Sequence, residues 1–435
     1  MPYHRFLPNN VRSNFHNLVQ PINYTDDDLR IIDDSQTPLL VIDCEQIRQN
    51  VRAIRRALPG VMVYYALKCN PDAEIVRTLA EMGVGFEIAS LQEAMFLQQL
   101  DVPPSQIVCF HTIKSPAFLQ YLHEHRIDIM AVDSVEELDK IAAYAPHSRI
   151  VARVEVPNDG SVVDLSGKFG IAPAEAPILF RHALALGLKP YGITMHVGSQ
   201  CVQLRAWERA VQICFAAWME ARKHGIDLEL FSLGGGLPAP YRAPVLPLSE
   251  IGEMLARYDL AKLHNGRGLV TVEPGRAIAA TAGTIVTSVI GLAKRSNGQW
   301  AYLDVGIFNG LMEALLNDDY DFYPIVVPHS DRPKRRYHLG GPTCDSVDTP
   351  FRDVELPELR IGDRLYILYT GAYSASCAGS FNGFLPPSII YLSQTPQPAE
   401  KPHVLDVSLE EEIAELADSL FMQRRQAAWD ETPVP

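Results

Sequence analysis

The sequence predicts an α/β fold of repeated strand–helix units, followed by a mostly antiparallel β-domain. Two observations carry that expectation. Between about residues 37 and 282 short apolar runs alternate with amphipathic stretches, and past 282 apolar runs follow one another with only turn residues between them. A chain of 435 residues also exceeds what one core usually organises, so two domains are expected.

The runs PLLVID (38–43), VMVYYAL (61–67), VGFEIA (84–89), IVCF (107–110), IDIMAV (127–132), RIVARVEV (149–156), YGITMHV (191–197), LELFSL (228–233) and LVTVEP (269–274) read as buried strands. Between them, AEIVRTLAEMG (73–83) and VEELDKIAAYA (135–145) space apolar residues three and four apart, as helices do, and Gly83 suits a helix C-terminus. Units this regular suggest parallel strands with helices outside. Eight would close a (β/α)8 barrel, and an open doubly wound sheet is the competing layout. The strands slightly exceed eight, which leaves room for the first to belong elsewhere. Later, TIVTSVIGLAKR, QWAYLDVG, RYHLGGP, DRLYILYTGAY and PPSIIYL read as strands of the β-domain, and LEEEIAELADSLFMQRRQAAW (409–429) as a terminal amphipathic helix.

Composition narrows the function. Hydrophobic residues at 47% and charged residues at 21% are ordinary for a globular protein. No apolar run approaches the roughly 20 residues of a membrane span. The first residues show neither an apolar h-region nor a small-residue cleavage site, so a cytoplasmic protein without a membrane partner is expected. A formal charge of −14 argues against nucleic acid and is compatible with small cationic substrates. The seven cysteines are scattered with no CxxC pair, which speaks against a disulfide framework and against a metal site.

Several residues could do chemistry. Lys68 follows a β-type run and precedes Cys69-Asn70-Pro71, which forces a turn. At the C-terminal end of a barrel strand it would point into the site, and burial there would depress its pKa and favour an amine able to form an imine. On position alone a surface lysine after a strand is the more ordinary reading. His196 ends another apolar run, where a packed core histidine is the ordinary reading. GGG at 234–236 can bring backbone N–H groups to an anion, and EPGR at 273–276 pairs an acid with an arginine suited to phosphate or to a structural ion pair. GPTCDSVD at 341–348 sets the thiol of Cys344 beside carboxylates in a Gly-Pro turn, or is an ordinary loop. In this order the parts match a phosphate-bearing cofactor site with an imine-forming lysine.

YALKCN, HVGSQ, LGGG, EPGR, GPTCDSVD and GAY…SFNGF, in this order from about 62 to 392, closely resemble the fold-type III decarboxylases that use pyridoxal phosphate (PLP). These are the eukaryotic-type ornithine decarboxylases and their diaminopimelate and lysine relatives. The resemblance implies an alanine-racemase-like (β/α)8 TIM barrel over 37–282, with 1–36 and 283–435 forming the β-domain. It implies a homodimer whose active sites lie between subunits. Lys68 then carries the cofactor as a Schiff base, His196 stacks on its ring, and Glu273 faces the pyridine nitrogen. Ser199, Gly235, Gly236, Arg276 and Tyr373 match the phosphate cradle. Cys344 and Asp345 match a pair donated by the other subunit, the thiol returning a proton to Cα and the aspartate meeting the substrate's distal ammonium. Glu93 and Arg153 match supporting charges, and Phe381 lines the site.

A carboxylate rather than an arginine at Glu273 keeps the pyridine nitrogen protonated, which favours decarboxylation over racemisation. L-Ornithine, giving putrescine, is the leading substrate; lysine, 2,4-diaminobutyrate and diaminopimelate are alternatives, and a non-catalytic regulatory homologue is the reading from another class. Two departures stand out. Glu87 replaces the family's usual aspartate, and 304–321 aligns ambiguously, so that Asn317, Asp318 or Asp319 could read the distal amine, with Asp318 preferred.

Overall fold

Eight parallel strands form the centre of the molecule, and each owes its place to a buried apolar run. In the computed structural model residues 24–242, 244–258, 260, 268–316, 323–328 and 331–392 are described, all within one unit spanning Met1–Ser393. The predicted helix at 409–429 lies outside the described residues. Strand β1 is Leu39–Ile42, β2 Met62–Ala66, β3 Gly85–Glu87, β4 Ile107–Val108, β5 Ile129–Val132 and β6 Arg149–Arg153. A short β7 (Ser161–Val163) precedes β8 (Lys189–Thr194), and β9 (Ser199–Cys201) precedes β10 (Leu230–Ser232) and β11 (Leu269–Val272).

The sheet runs β4-β3-β2-β11-β10-β8-β6-β5, and a parallel bridge between Cys109 and Met130 joins its two ends. The sheet therefore curls into a barrel rather than the open doubly wound layout. Helices follow the strands, and their starts are written in the sequence. Asp72, Ser90, Ser115 and Ser134 each accept a backbone N–H of the first turn of Ala73–Glu81, Leu91–Gln99, Pro116–Glu124 and Val135–Tyr144. Gly83, expected at a helix end, takes φ +63° just past the first of these helices.

Alternation along each strand separates two surfaces. Tyr65, Phe86, Met130, Ile150 and Phe231 pack in the main core with the helices. Tyr64, Val108, Ile129, Ala131, Val151, Tyr191 and Leu230 form a second, separate apolar cluster that fills the barrel. Counting by twos from that inner set reaches Lys68 from Tyr64, Arg153 from Val151, Ser232 from Leu230 and Glu273 from Leu269.

The second sheet contains β12 (Gly283–Arg295), β13 (Gly298–Leu303), β14 (Ile325–Val326), β15 (Lys334–Gly340), β16 (Phe351–Pro357), β17 (Arg364–Leu368) and β18 (Ser388–Tyr391). Most of its pairs are antiparallel; β13 with β15 and β1 with β18 are parallel. The first apolar run belongs here and not to the barrel, because β1 pairs with β12 and β18. The helix Asp26–Asp34 joins the same sheet through Arg364, which donates to the carbonyls of Ile32 and Ser35. Among the described residues no helix is long and apolar enough to cross a membrane.

One buried acid organises the loop between β15 and β16. Asp348 is 3% exposed, and its carboxylate accepts from Ile307 N at 2.7 Å, Thr343 N at 3.0 Å and Thr343 Oγ1 at 2.7 Å. A Cβ at Gly341 would lie 2.2 Å from that carboxylate, which accounts for the glycine. Asp348→Ala would orphan the buried Ile307 N–H at a cost of about 1–3 kcal/mol. Thermal unfolding should show a lowered apparent Tm, and a variant as stable as the parent would refute the tether.

Candidate active site

Lys68 sits in a single 3-10 turn, Leu67–Cys69, directly after β2. Its Nζ donates to Glu87 Oε2 at the end of the neighbouring strand β3. The Lys68 side chain is 46% exposed, whereas Glu87 is 3% exposed. The expected depression of the lysine pKa is reversed. Burial opposes the ammonium, but the charge of Glu87, helped by Tyr373 and Glu273, outweighs it and holds the pKa above the ordinary lysine value. The extra methylene of glutamate at this position spans to the lysine directly.

Glu273 follows β11 and is 8% exposed. Its Oε1 accepts from Ser232 Oγ at 2.5 Å and from Thr194 Oγ1 at 3.2 Å. Burial, reinforced by the charge of Glu87, lifts its pKa to about 7 against the pull of the Ser232 hydrogen bond, Lys68 and Arg153. An acid so poised waits for a cation. Arg153, at the end of β6, lies 5.0 Å from the Phe169 ring centroid, and burial lowers its pKa. Glu93 caps its own helix, accepting Ala89 N at 2.6 Å, and burial raises its pKa.

His196 lies just beyond β8. Burial, with Arg153 and Lys68 adding their positive charge, drops its pKa to about 3, so the ring is neutral. Gly198 N donates to Nδ1 at 3.0 Å, which leaves Nε2 to carry the hydrogen. A Cβ at Gly235 would stand 2.8 Å from that Nε2, and one at Gly236 would stand 2.5 Å from Gly198 O. The glycine turn is thus bare because the histidine strand-end presses against it. A cavity of about 380 Å³ opens beside His196 and Arg153, walled by Asn158, Leu165, Phe169 and Ile213 among others.

Arg276 opens the four-residue helix Arg276–Ala279 after the EPG turn. Its Nε and Nη2 donate to Ser199 Oγ at 3.3 and 3.2 Å, and its guanidinium carbon lies 5.0 Å from the Tyr373 ring centroid. Tyr373, at φ +55°, donates its backbone N–H to Cys69 O at 2.8 Å and so ties this corner to the lysine turn. Lys68, Glu87, Glu93, Arg153, His196, Ser199, Gly235, Gly236, Glu273, Arg276 and Tyr373 therefore gather at one end of the barrel.

Cys344, Asp345 and Phe381 belong to an exposed loop region of the second sheet. Cys344 N and Sγ both donate to Asn382 Oδ1, at 3.1 and 3.2 Å, while Asp345 accepts Val347 N at 2.8 Å. Phe381 packs on Phe308 with centroids 4.8 Å apart. Asp318 lies outside the described residues.

Four contributors escaped the sequence reading. Ser232 and Thr194 hold Glu273, and Tyr241 and Glu313 hold Arg276. Ser232 had a signal, being two residues past the inward Leu230. Glu313 had a weaker one, an acid alone in the apolar run GLMEALL, where a buried carboxylate needs a partner.

The donors and shape suit PLP: a bare glycine turn beside a hydroxyl and an arginine for phosphate, a neutral ring, a buried acid and a primary amine. Residues 44–280 match the family model for the pyridoxal-dependent decarboxylase, pyridoxal binding domain. The lysine/ornithine decarboxylase of Selenomonas ruminantium is 34% identical over 360 residues, 82% of this chain and 90% of that one. The ornithine decarboxylase of Mus musculus is 29% identical over 383 residues, 83% and 82% of the two chains. The solved structure of SrLDC in complex with PLP and cadaverine matches with a TM-score of 0.78 at 30% identity, covering 91% of this chain and 98% of that one. Barrel, site chemistry and these matches agree, and the chain belongs to the pyridoxal-dependent amino-acid decarboxylases.

Proposed function

We propose that this enzyme decarboxylates a basic L-amino acid, with L-ornithine, giving putrescine, as the leading substrate. The observation that carries the reading is the single cluster of Lys68, Glu87, His196, Glu273 and Arg276 at one end of the barrel. When bound, the cofactor supplies the electron sink that takes up the pair left as CO2 departs.

The chain's own residues set the conditions for that. Lys68 offers the primary amine, and Glu87 steadies the proton at Nζ. Glu273 holds a proton or a negative charge opposite the pyridine nitrogen, and its raised pKa makes it ready for either. The neutral ring of His196 gives a flat apolar face that adds no charge of its own. Ser199, Arg276, Tyr373 and the bare glycine turn bind the phosphate and keep the group from rotating.

Cys344 and Asp345 act from the other subunit of a homodimer. Their exposure on the second sheet supports this, since a thiol that protonates Cα and an acid that binds an ammonium need an enclosed site. There the Sγ proton of Cys344 goes to the substrate's Cα, Asp345 pairs with the distal ammonium, and Phe381 lines the wall. Asp318 is the proposed second contact for that amine.

Three measurements test the reading. Purified enzyme offered ornithine, lysine, arginine, 2,4-diaminobutyrate and meso-diaminopimelate should release CO2 fastest from ornithine; release from none would overturn the assignment. Lys68→Ala should lose the visible absorption band of the loaded enzyme, and Cys344→Ala should be separately impaired. Mixing these two variants should restore up to about a quarter of parental activity, since half of randomly paired dimers hold one intact site of two. No restoration after verified subunit exchange would refute a shared site.

The third concerns pH. Glu273 has a folded pKa of about 7 against the ordinary 4.5 of a glutamate, so its burial is least costly below about 4.5 and stability is lost as pH rises through 7. Cofactor-free parent protein should therefore fall in apparent Tm relative to Glu273→Gln between pH 5 and 8. Parallel pH profiles would contradict the buried acid.

A further inference from the structure

Arg276 has two different edges. Its end-on edge meets Glu313 in a two-pronged pair, Nη1 to Oε2 at 2.6 Å and Nη2 to Oε1 at 2.5 Å, and Nη1 also donates to Tyr241 Oη at 2.7 Å. Its side-on edge, Nε and Nη2, makes two long bonds that share a single acceptor, Ser199 Oγ, at 3.3 and 3.2 Å. Among these contacts the short ones lie at the end-on edge and the long ones at the side-on edge. Both partners of the tight pair are almost fully buried, Arg276 at 4% exposure and Glu313 at 3%. Glu313 itself lies in the 3-10 turn Met312–Leu315, outside the motifs named above.

We propose that Glu313 is a positioning residue for cofactor phosphate: it grips Arg276 end-on and so aims the side-on edge at the anion. This rests on the reading that Ser199, Arg276 and the glycine turn hold that phosphate. A phosphate oxygen pair can replace the shared hydroxyl with two shorter, charge-assisted bonds, provided the guanidinium cannot swing. Glu313 and Tyr241 remove that freedom. The sign of the effect is diagnostic. A carboxylate that merely sat nearby would repel a phosphate dianion, and its removal would tighten binding; removing a positioning carboxylate weakens it.

The test compares PLP with pyridoxal, which lacks the phosphate, on cofactor-free protein. Dissociation constants come from visible absorbance titration, with thermal unfolding confirming that each variant is folded. In Glu313→Gln, pyridoxal binding should stay within about twofold of the parent while the preference for the phosphorylated form falls by about tenfold, a loss of roughly 1.4 kcal/mol. The amide keeps the size but turns an N–H2 toward the arginine's own donors. Glu313→Asp keeps the charge and draws it back by one methylene; a smaller drop is expected there, which preserves the test should the glutamine variant fail to fold. Equal weakening of both ligands would reduce Glu313 to a structural prop and overturn the proposal, as would an unchanged or increased preference. A parent protein that does not prefer the phosphorylated form would instead refute the phosphate cradle.

Discussion

A closed barrel whose strands alternate inward and outward fixes nearly everything else in this molecule. Tyr64, Val108, Ile129, Ala131, Val151, Tyr191 and Leu230 pack its lower interior into a solid floor. Residues two or four positions further along the same strands have only the open end to occupy. Arg153 and Ser232 arrive there by strand register, and Lys68 and Glu273 lie within two residues of their strand ends. A rigid floor beneath them means that they cannot relieve their charges by sinking or spreading, so each charge must be satisfied at the rim.

The rim solves that problem in several ways, and the differences separate the roles. Arg276 is buried and doubly paired with Glu313, an arrangement that resists change because breaking either partner strands a charge. Lys68 pairs with Glu87 yet keeps nearly half of its side-chain surface open, so its amine can leave the carboxylate for an incoming partner. Glu273 receives two hydroxyls, and burial with the charge of Glu87 raises its pKa against the pull of Ser232, Lys68 and Arg153. His196 avoids the problem by staying neutral. Arg276 is thus closed off on its Glu313 side, while Lys68 keeps an open face toward the barrel mouth.

What the sequence disclosed follows from the same physics. Strand ends were legible because apolar runs stop near Lys68, His196 and Glu273, and helices because apolar residues recur three and four apart. The curl into a barrel was not, since an open sheet uses the same runs. Nor was the partner of β1, whose apolar run reads like a barrel strand and differs only in what lies beside it. The lysine pKa went the wrong way because position announces burial, whereas the opposing charge of Glu87 comes from 19 residues downstream through a tertiary contact. Glu313 was hidden for a related reason: a lone acid in GLMEALL asks for a cation without saying which.

The two functional regions are built from different material, and that has a consequence for specificity. Glu87 and Arg153 end barrel strands, and Lys68, His196, Gly235, Glu273 and Arg276 follow such strands on short turns, so a ring of paired strands anchors them. Cys344, Asp345 and Phe381 stand on loops tethered by single groups, Asn382 for the thiol and Asp348 for the Gly-Pro turn. A change of one residue in a barrel strand would disturb the floor and the rim together. The same change in the loop would move a carboxylate by an ångström or two and leave the barrel untouched. Under the roles proposed for them, a substitution in this loop reaches the substrate without disturbing the barrel, so recognition of the amine can vary apart from the cofactor site.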